Sequence, residues 1–481
     1  MLKLIPQPNS IEYKEGLSCE KVSFEENAEI LDGGYIIDTD TDGIKISYGS
    51  DKGKFYALKT VAQILRQSQY GIPQMHIEDA PKYQYRGFML DSARHFFSVE
   101  SVKKYIEIMA DLKLNKFHWH LVDDQGWRIE IKKYPALTDI GSKRSSTRND
   151  GVAIEGYYTQ EEIREIVNYA KERFIEVIPE IDMPGHFTAA IASYPYLGCT
   201  EKEIKVSESF GIHAEIACGG KETTYEFCEN VLREVFELFP CEYIHLGGDE
   251  ALKLHWINCP SCQDKMAKNN LENEEQLQGY FMNRMVDFAQ EYGKKVVNWN
   301  DGLCGGNINK SVVLQYWKES KLGKEVLLKE SNMGRKIIMS PFYAYYIDYP
   351  YGMTSLKKTY NYEIANEVQS SVIGLEAPIW TEYLENTKKL EYMVFPRLIA
   401  VAERAWSKDN HYDSFAYRLE EYYNYLDTFE INYAKNYNPS KLKGIMQVVK
   451  FFANAFDKTN RKNLKLQILN KKALNKKYGK K

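Results

Sequence analysis

The chain has 481 residues, which exceeds the usual limit for one hydrophobic core, so we expect one large domain with a smaller companion. Its formal net charge of −4 at pH 7 gives no basic field that would recruit a nucleic acid. No stretch reaches the roughly 18 to 20 uninterrupted apolar residues of a membrane-spanning helix. Composition and charge therefore argue against a nucleic-acid or membrane partner and indicate an ordinary globular protein.

The N-terminal segment, residues 1–16, contains no continuous apolar run and reaches Pro6 and Pro8 early, which is not the pattern of a secretory signal. We therefore expect a cytoplasmic protein. Its eight cysteines are sparse, and a disulfide framework is not expected in a reducing compartment. Cys259 and Cys262 form a CPSC motif with no convincing second pair nearby, so we favour ordinary cysteines over a metal or redox site.

Residues 1–80 are predicted to form a small α/β domain. The segment GIKISYG (43–49) alternates as a strand does, and FYALKTVAQILRQ (55–67) has apolar residues at helical spacing.

From Tyr85 onwards, short apolar segments alternate with helices, which predicts a parallel sheet. Capping boxes are predicted at Thr159–Glu162 and Thr223–Glu226, and Gly293 stands where a helix should end. Eight such units over roughly 300 residues predict a (β/α)8 TIM barrel spanning residues 81–407. The eight predicted strands are 85–91, 116–122, 174–182, 243–247, 295–300, 311–317, 336–340 and 371–376.

Residues 408–481 are predicted to form a C-terminal helical extension. It contains AYRLEEYYNYL and ends in the basic sequence NKKALNKKYGKK (470–481), which we expect to be solvated and partly disordered.

Polar and aromatic residues collect at the C-terminal ends of the predicted strands, where the catalytic side chains of TIM barrels lie. Four of the seven tryptophans, at 127, 299, 317 and 380, fall in the loops that follow these strands. Flat apolar rings beside carboxylates suit a sugar, so we expect a small, aromatic and acidic pocket. The other residues are Asp91, Arg94, His95, His118, His120, Asp123, Asp124, Glu180, Asp182, His186, Asp249, Glu250, Asp301, Tyr346, Asp348 and Glu382.

Seven motifs in fixed order closely resemble the signature of glycoside hydrolase family 20, the β-N-acetylhexosaminidases. The resemblance covers residues 80–407, and the N-terminal segments LIPQPNSIE and KFYALKTVAQIL resemble the small domain that precedes the barrel in this family. The motifs are RGFMLDSARHF, HWHLVDDQGWRIEI, PEIDMPGH, HLGGDE, VNWND, YYIDY and LEAPIWTE.

HLGGDE (245–250) places two carboxylates side by side, although neighbours in a regular strand point to opposite faces. The two glycines let the backbone leave strand geometry, so that both side chains face one pocket from the same side. Two protein carboxylates that flank a scissile bond stand about 5–5.5 Å apart in retaining glycosidases and roughly 6.5–9.5 Å apart in inverting ones. Adjacent acids suit instead the substrate-assisted mechanism that the resemblance implies, in which the 2-acetamido oxygen is the nucleophile.

By resemblance, Glu250 is the general acid and later the base, and Asp249 orients the acetamido nitrogen and stabilises the oxazolinium-like intermediate. Burial and the adjacent charge of Asp249 should raise the pKa of Glu250. The resemblance also implies that Arg94 and Glu382 hold the 3- and 4-hydroxyls, Asp348 the outer hydroxyls and Tyr346 the acetamido oxygen. In the same way, Trp299, Trp317 and Trp380 wall the sugar, while Asp123 or Asp124, Asp182 and His186 either tune Glu250 or make structural hydrogen bonds.

The implied activity is retaining exo-hydrolysis of terminal, non-reducing β-linked N-acetylglucosamine or N-acetylgalactosamine, without metal or cofactor. The implied substrates are oligosaccharides or glycoconjugates that carry these sugars. Oligomeric state is not indicated by the sequence.

Two alternatives remain open. His118 and His120, with His186, His245 and Asp249, are metal-ligand types found in barrel amidohydrolases, but in that class the HxH lies on the first strand and the aspartate on the last. A sugar-binding protein that has lost catalysis is the second alternative, and the intact Asp249–Glu250 pair argues against it.

Overall fold

The computed structural model describes residues 2–148, 151–409, 411–455 and 458–479. The N-terminal unit is a five-stranded sheet of order β1-β5-β3-β4-β2, packed against one helix, as its alternating and helical patterns predicted. Asp79 fixes this unit to the barrel, because its carboxylate accepts hydrogen bonds from Trp406 Nε1 at 2.9 Å and Lys113 Nζ at 3.1 Å. The elements are β1 (Ser10–Ser18), β2 (Val22–Glu26), β3 (Tyr35–Asp40), β4 (Gly43–Tyr48), α1 (Asp51–Arg66) and β5 (Ile72–Asp79).

Eight parallel strands form a closed barrel, because the last strand pairs with the first between Gly374–Ile379 and Tyr85–Leu90. The predicted TIM barrel is confirmed. A two-residue strand, β8, adds to the edge of β7 in antiparallel fashion. The strands are β6 (Tyr85–Asp91), β7 (Lys116–Asp123), β8 (Gly126–Trp127), β9 (Glu176–Ile181), β10 (Tyr243–His245), β11 (Lys295–Trp299), β12 (Val313–Tyr316), β13 (Ile337–Met339) and β14 (Val372–Ile379).

Helices cover the outside of the barrel. The capping box at Thr159–Glu162 is confirmed, and Gly293 follows a helix with a left-handed φ of 71°. The capping box at Thr223–Glu226 is wrong, because that helix begins two residues earlier than the box implies, at Glu222, with Lys221 at its N-cap. The helices are α2 (Val99–Asp111), α3 (Ala136–Asp139), α4 (Gln160–Lys171), α5 (Thr188–Ser193), α6 (Glu222–Leu238), α7 (Pro260–Lys268), α8 (Glu274–Glu291), α9 (Lys321–Asn332), α10 (Phe342–Tyr345), α11 (Leu356–Tyr360), α12 (Thr387–Val394) and α13 (Arg397–Trp406).

The C-terminal extension is helical: α14 (Tyr412–Asp427), α15 (Lys441–Ala455) and α16 (Lys458–Tyr478). A partly disordered basic tail is the wrong description of residues 470–479. The tail is ordered because it finds partners on the barrel: Asn470 Oδ1 accepts from Lys253 N–H at 2.8 Å, and Lys477 pairs with Glu274 at 2.7 Å. Among the described residues, none of the helices combines the length and apolar character needed to cross a membrane.

The barrel interior is layered. Its lower layer is apolar and contains Tyr85, Ile178, Tyr243, Val297, Val313 and Ile338. Above it lies a layer of hydrogen-bonded charged and polar groups, and the carboxyl ends of the strands open onto the loops above that.

Candidate active site

The segment after β10 leaves strand geometry at once. Gly247 and Gly248 have left-handed φ values of 62° and 92°, and Glu250 has one of 49°. A Cβ on Gly247 would overlap the Asp182 carboxylate, whose Oδ1 accepts the Gly248 N–H at 3.1 Å. Only glycine therefore fits at position 247, and the turn directs the next two side chains into a common space.

Asp249 and Glu250 converge on one imidazole. His186 Nε2 lies 3.6 Å from Asp249 Oδ2 and 3.9 Å from Glu250 Oε2. One oxygen of each carboxylate and a ring nitrogen of His186 all lie within 4.8 Å of one another. The two adjacent acids thus face the same cavity from the same side, as the glycine argument predicted.

The Glu250 carboxyl has a raised pKa. Burial raises its pKa to about 7, the Lys318 ammonium opposes this shift, and the Asp249 carboxylate adds to it. Near neutral pH a substantial fraction of Glu250 therefore carries a proton that it can donate.

Asp301 organises the groups around Glu250. Its carboxylate accepts hydrogen bonds from the Glu250 N–H at 3.3 Å, Trp317 Nε1 at 3.0 Å and Lys318 Nζ at 3.1 Å. Lys318 was missed by the sequence analysis, and the only available signal is that it directly follows Trp317.

His186 links the acid pair to two further carboxylates. Its Nδ1 lies 3.1 Å from Asp123 Oδ1 and 3.2 Å from Asp124 Oδ2. Burial alone would lower the pKa of His186, but the charge of Asp123 and hydrogen bonds to its neighbours raise it well above the usual value. A protonated imidazole therefore stands between two pairs of acids.

Asp182 lies directly against the Gly247–Gly248 turn. Burial, followed by the charge of Asp249, raises its pKa well above the usual value. Its hydrogen bond from Gly248 fixes the backbone that carries the acid pair.

The cavity beside Glu250 is lined by acids, one arginine and aromatic rings. Two buried oxygens in it, Asp249 Oδ1 and Asp348 Oδ1, have no hydrogen-bond partner within the described part of the chain. Trp317 and Tyr346 stack with ring centroids 5.8 Å apart. The lining residues are Arg94, His186, Asp249, Glu250, Trp317, Phe342, Tyr346, Asp348, Tyr349, Trp380, Glu382, Tyr383, Leu384 and Phe451.

Arg94 is held rigidly at the cavity wall. Its guanidinium lies 2.7 Å from Asp123 Oδ2 and donates to Gln125 Oε1 at 3.0 Å. It also lies 4.9 Å from the Trp380 ring, which places a fixed cation beside an aromatic face.

Two tryptophans in the predicted loops do not line the cavity. Trp299 is fully buried beneath it, donates to Glu180 Oε1 at 2.8 Å, and has its ring 5.9 Å from that of Trp380. Trp127 is buried and donates to the Ile129 carbonyl at 2.8 Å.

One cavity residue comes from the C-terminal extension. Phe451 of α15 lies with its ring 5.4 Å from that of Tyr349 and 5.3 Å from that of Tyr383. None of these three rings is among the site residues predicted from the sequence. Phe451 gave no signal, because only the tertiary docking of α15 brings it to a site more than 60 residues away in sequence.

The histidines of the HWH motif lie in the charged layer inside the barrel. Burial alone would lower the pKa of His118, but Glu376 and Glu180 raise it to about 9. His120 Nδ1 lies 2.6 Å from Glu180 and its Nε2 2.8 Å from Asp123. These histidines are bound to carboxylates and do not line the cavity, so they offer no ligands to a metal ion in that cavity.

Cys259 and Cys262 do have a second pair, contrary to the sequence analysis. Cys199 and Cys218 lie against them, and the four sulfurs are all within 4.8 Å of one another. This group could not be found from the sequence, because Cys199 and Cys218 are far apart in a long loop. They come together only through the antiparallel bridge between Gly198 and Ala217.

Known proteins resemble the chain over most of its length. The family model "Glycosyl hydrolase family 20, catalytic domain" matches residues 83–409, and "domain 2" of the same family matches residues 20–80. A beta-hexosaminidase of Porphyromonas gingivalis is 39% identical over 428 residues, which are 83% of this chain and 54% of that protein. This chain therefore spans about half the length of that relative.

A beta-hexosaminidase of Akkermansia muciniphila is 31% identical over 424 residues, covering 84% of this chain and 86% of that protein. A GH20 exo beta-N-acetylglucosaminidase of Vibrio harveyi, solved in complex with N-acetylglucosamine, aligns with a TM-score of 0.82 and 30% identity, covering 90% of this chain and 78% of that one. The chain belongs to glycosyl hydrolase family 20.

Proposed function

We propose that the protein hydrolyses terminal, non-reducing β-linked N-acetylglucosamine or N-acetylgalactosamine from oligosaccharides or glycoconjugates. The observation that carries the proposal is the convergence of Asp249 and Glu250 on one cavity, with Asp249 Oδ1 buried and unpartnered among the described residues. An acetamido N–H is a donor of the kind that such an oxygen lacks. The V. harveyi relative binds N-acetylglucosamine.

In the proposed reaction, the 2-acetamido oxygen attacks C1 while the bond from C1 to the leaving oxygen breaks and Glu250 transfers its proton to that oxygen. Asp249 accepts the acetamido N–H and stabilises the positive oxazolinium ring. Glu250, now a carboxylate, takes a proton from water as it attacks C1 and reopens the ring. Two inversions at C1 give a product with retained configuration.

The remaining cavity groups suit recognition of the sugar. Arg94 and Glu382 are assigned to the 3- and 4-hydroxyls, and Asp348, with an unpartnered Oδ1, to an outer hydroxyl. Tyr346 is assigned to the acetamido oxygen, and Trp317 and Trp380 to the faces of the acetyl group and ring. Trp299 supports Trp380 from below. Asp123, Asp124 and Asp182 act through His186 and through the turn that carries the acid pair.

The test compares Glu250→Gln and Asp249→Asn with the wild type on an aryl β-N-acetylglucosaminide. We expect kcat/KM to fall by about 10²–10⁴-fold in Glu250→Gln, with folding retained. We expect Asp249→Asn to lose activity as well, and the wild type to be inactive on the matching glucosaminide without an acetyl group. Unchanged turnover in Glu250→Gln would overturn the assignment of the acid, and equal cleavage of both substrates would overturn the substrate-assisted mechanism.

The initial anomer of the product, followed by NMR, tests retention. Paired aryl glycosides of the two sugars establish the preference between glucosamine and galactosamine derivatives, which differ in one hydroxyl. A folded protein that binds either sugar without cleaving it would support the inactive sugar-binding alternative.

A further inference from the structure

The four-cysteine cluster has the dimensions of a metal site. Sγ–Sγ distances are 3.9 Å for Cys199–Cys262, 3.8 Å for Cys218–Cys259 and 3.7 Å for Cys218–Cys262. A tetrahedral zinc ion with four Zn–S bonds of about 2.3 Å would separate its sulfurs by about 3.8 Å. A disulfide requires about 2.05 Å, so the sulfurs are arranged around a shared centre rather than as bonded pairs.

The backbone brings the cysteines together closely. Cys259 is the N-cap residue of α7 and Cys262 lies in its first turn, so the CPSC motif presents both sulfurs at one helix end. A Cβ on Gly220 would overlap the backbone of Ser261 and Cys262, which means that glycine is needed for the Cys218 loop to approach α7. The Cys218 N–H donates to the Leu197 carbonyl at 2.8 Å and so aligns this loop with the segment that carries Cys199.

Three of the four cysteines are buried in an apolar cluster, and Cys199 is half-buried at its edge. Cys218, Cys259 and Cys262 are buried, and they pack with Ile216, Trp256, Met266 and Leu277. Because four thiolates complete a tetrahedron and leave no open position, such a site is structural rather than catalytic. Its apolar shell is of the kind that protects a closed site.

We propose that Cys199, Cys218, Cys259 and Cys262 bind one structural Zn²⁺ ion, which clamps the loop after β9 to the loop after β10. The first loop carries His186 and the second carries Asp249 and Glu250. Ala251, next to Glu250, packs against the cysteine cluster, and Trp256 Nε1 donates to the Ala217 carbonyl at 2.9 Å between the two loops. The ion thus supports the loops from which the acid pair and its imidazole project.

The experiment measures metal in the purified full chain, produced with zinc in the medium and purified under reducing conditions without chelator. We expect one zinc per chain by mass spectrometry of the elements and four sulfurs at about 2.3 Å by X-ray absorption. Protein produced with cobalt should show the absorption bands of tetrahedral cobalt thiolate. Less than 0.1 zinc per chain, a stoichiometric iron content, or disulfides at these cysteines would each overturn the proposal.

Variants distinguish the cluster from the other buried cysteines. We expect Cys218→Ser and Cys262→Ser to lose at least 90% of the zinc and to melt at lower temperature, whereas Cys228→Ala, buried elsewhere, should keep it. If the serine variants do not fold, a mercurial titration of the wild type replaces them. It should release one zinc as the four cluster thiols react, after the exposed Cys19 and Cys304, and release of none would overturn the proposal.

Discussion

Two groups of carboxylates in the same barrel have opposite acid–base behaviour, one group fully buried and the other half-buried at the cavity. In the charged layer, burial alone would raise the pKa of Glu180, but His245, His120 and His118 lower it well below the usual value. In the cavity, burial raises the pKa of Glu250 to about 7, and that of Glu382 is also raised. The neighbouring cations account for the difference in pKa. In the charged layer, protonated imidazoles keep Glu180 ionised, whereas in the cavity Glu250 can still gain and lose a proton near neutral pH.

The largest effect is expected in the unfolding free energy when a glutamate of each group is replaced by glutamine. Glu180→Gln removes one of the two carboxylates that the buried imidazoles of His118 and His120 each contact, and breaking a buried ion pair costs about 3–5 kcal/mol of unfolding free energy. Glu250→Gln removes an acid that burial disfavours as an anion, so its stability should stay near or above that of the wild type. Denaturant unfolding of the three proteins at pH 7.5 measures this difference.

The enzymatic activities of the same two variants give a second comparison. Glu250→Gln should be folded and nearly inactive, while any folded Glu180→Gln should keep part of its activity. Equal losses of stability in the two variants would show that the layer and the cavity do not differ as their pKa values indicate.

The second expected effect is a dependence on pH. With the pKa of Glu250 near 7, kcat/KM should fall as pH rises through about 7, because the proposed general acid loses its proton. The folded-state pKa lies above the unfolded value of 4.5, so the folded state binds the extra proton and the contribution of Glu250 to stability falls as pH rises between these values. Relative to the wild type, Glu250→Gln should therefore gain stability from about pH 4.5 to 7. A constant difference would contradict the raised pKa.

Much of the barrel could be predicted from the sequence, because its strands are buried on both faces and appear as short apolar runs between helices. The turn after β10 was also predictable, since two glycines before two acids imply a departure from strand geometry. The charged layer was not, because alternation places His118 and His120 inward without identifying their partners on β9 and β14. The cysteine pairs and the contact of α15 with the cavity depend on loop and helix docking, which has no local signal.

A smaller effect is expected at the rim of the cavity, where Phe451 contributes an aromatic face. An aromatic contact is worth about 0.5–1.5 kcal/mol, so Phe451→Ala should raise KM for a disaccharide by roughly 2–10-fold. kcat and the pH profile should stay unchanged, because Phe451 is not charged. Phe452→Ala is the control, since the adjacent ring is outside the cavity lining. A changed pH profile with unchanged KM would show instead that Phe451 affects the pKa of Glu250.

The smallest effect is expected from Lys318, the cation whose charge lowers the pKa of Glu250 most. Its ammonium lowers the pKa of Glu250, so Lys318→Gln should move the alkaline limb of the kcat/KM profile upwards. Because the Lys318 ammonium is partly exposed and screened by solvent, its loss should shift the limb by roughly half a pH unit.

Lys318→Arg retains the charge and should leave the limb in place. If both variants move it equally, the effect arises from the lost hydrogen bond to Asp301 rather than from charge. If only Lys318→Gln moves it, the single cation of Lys318 lowers the pKa of a cavity acid in the same direction as the imidazoles lower that of Glu180. The two groups of carboxylates would then differ in the number and proximity of their cations rather than in kind.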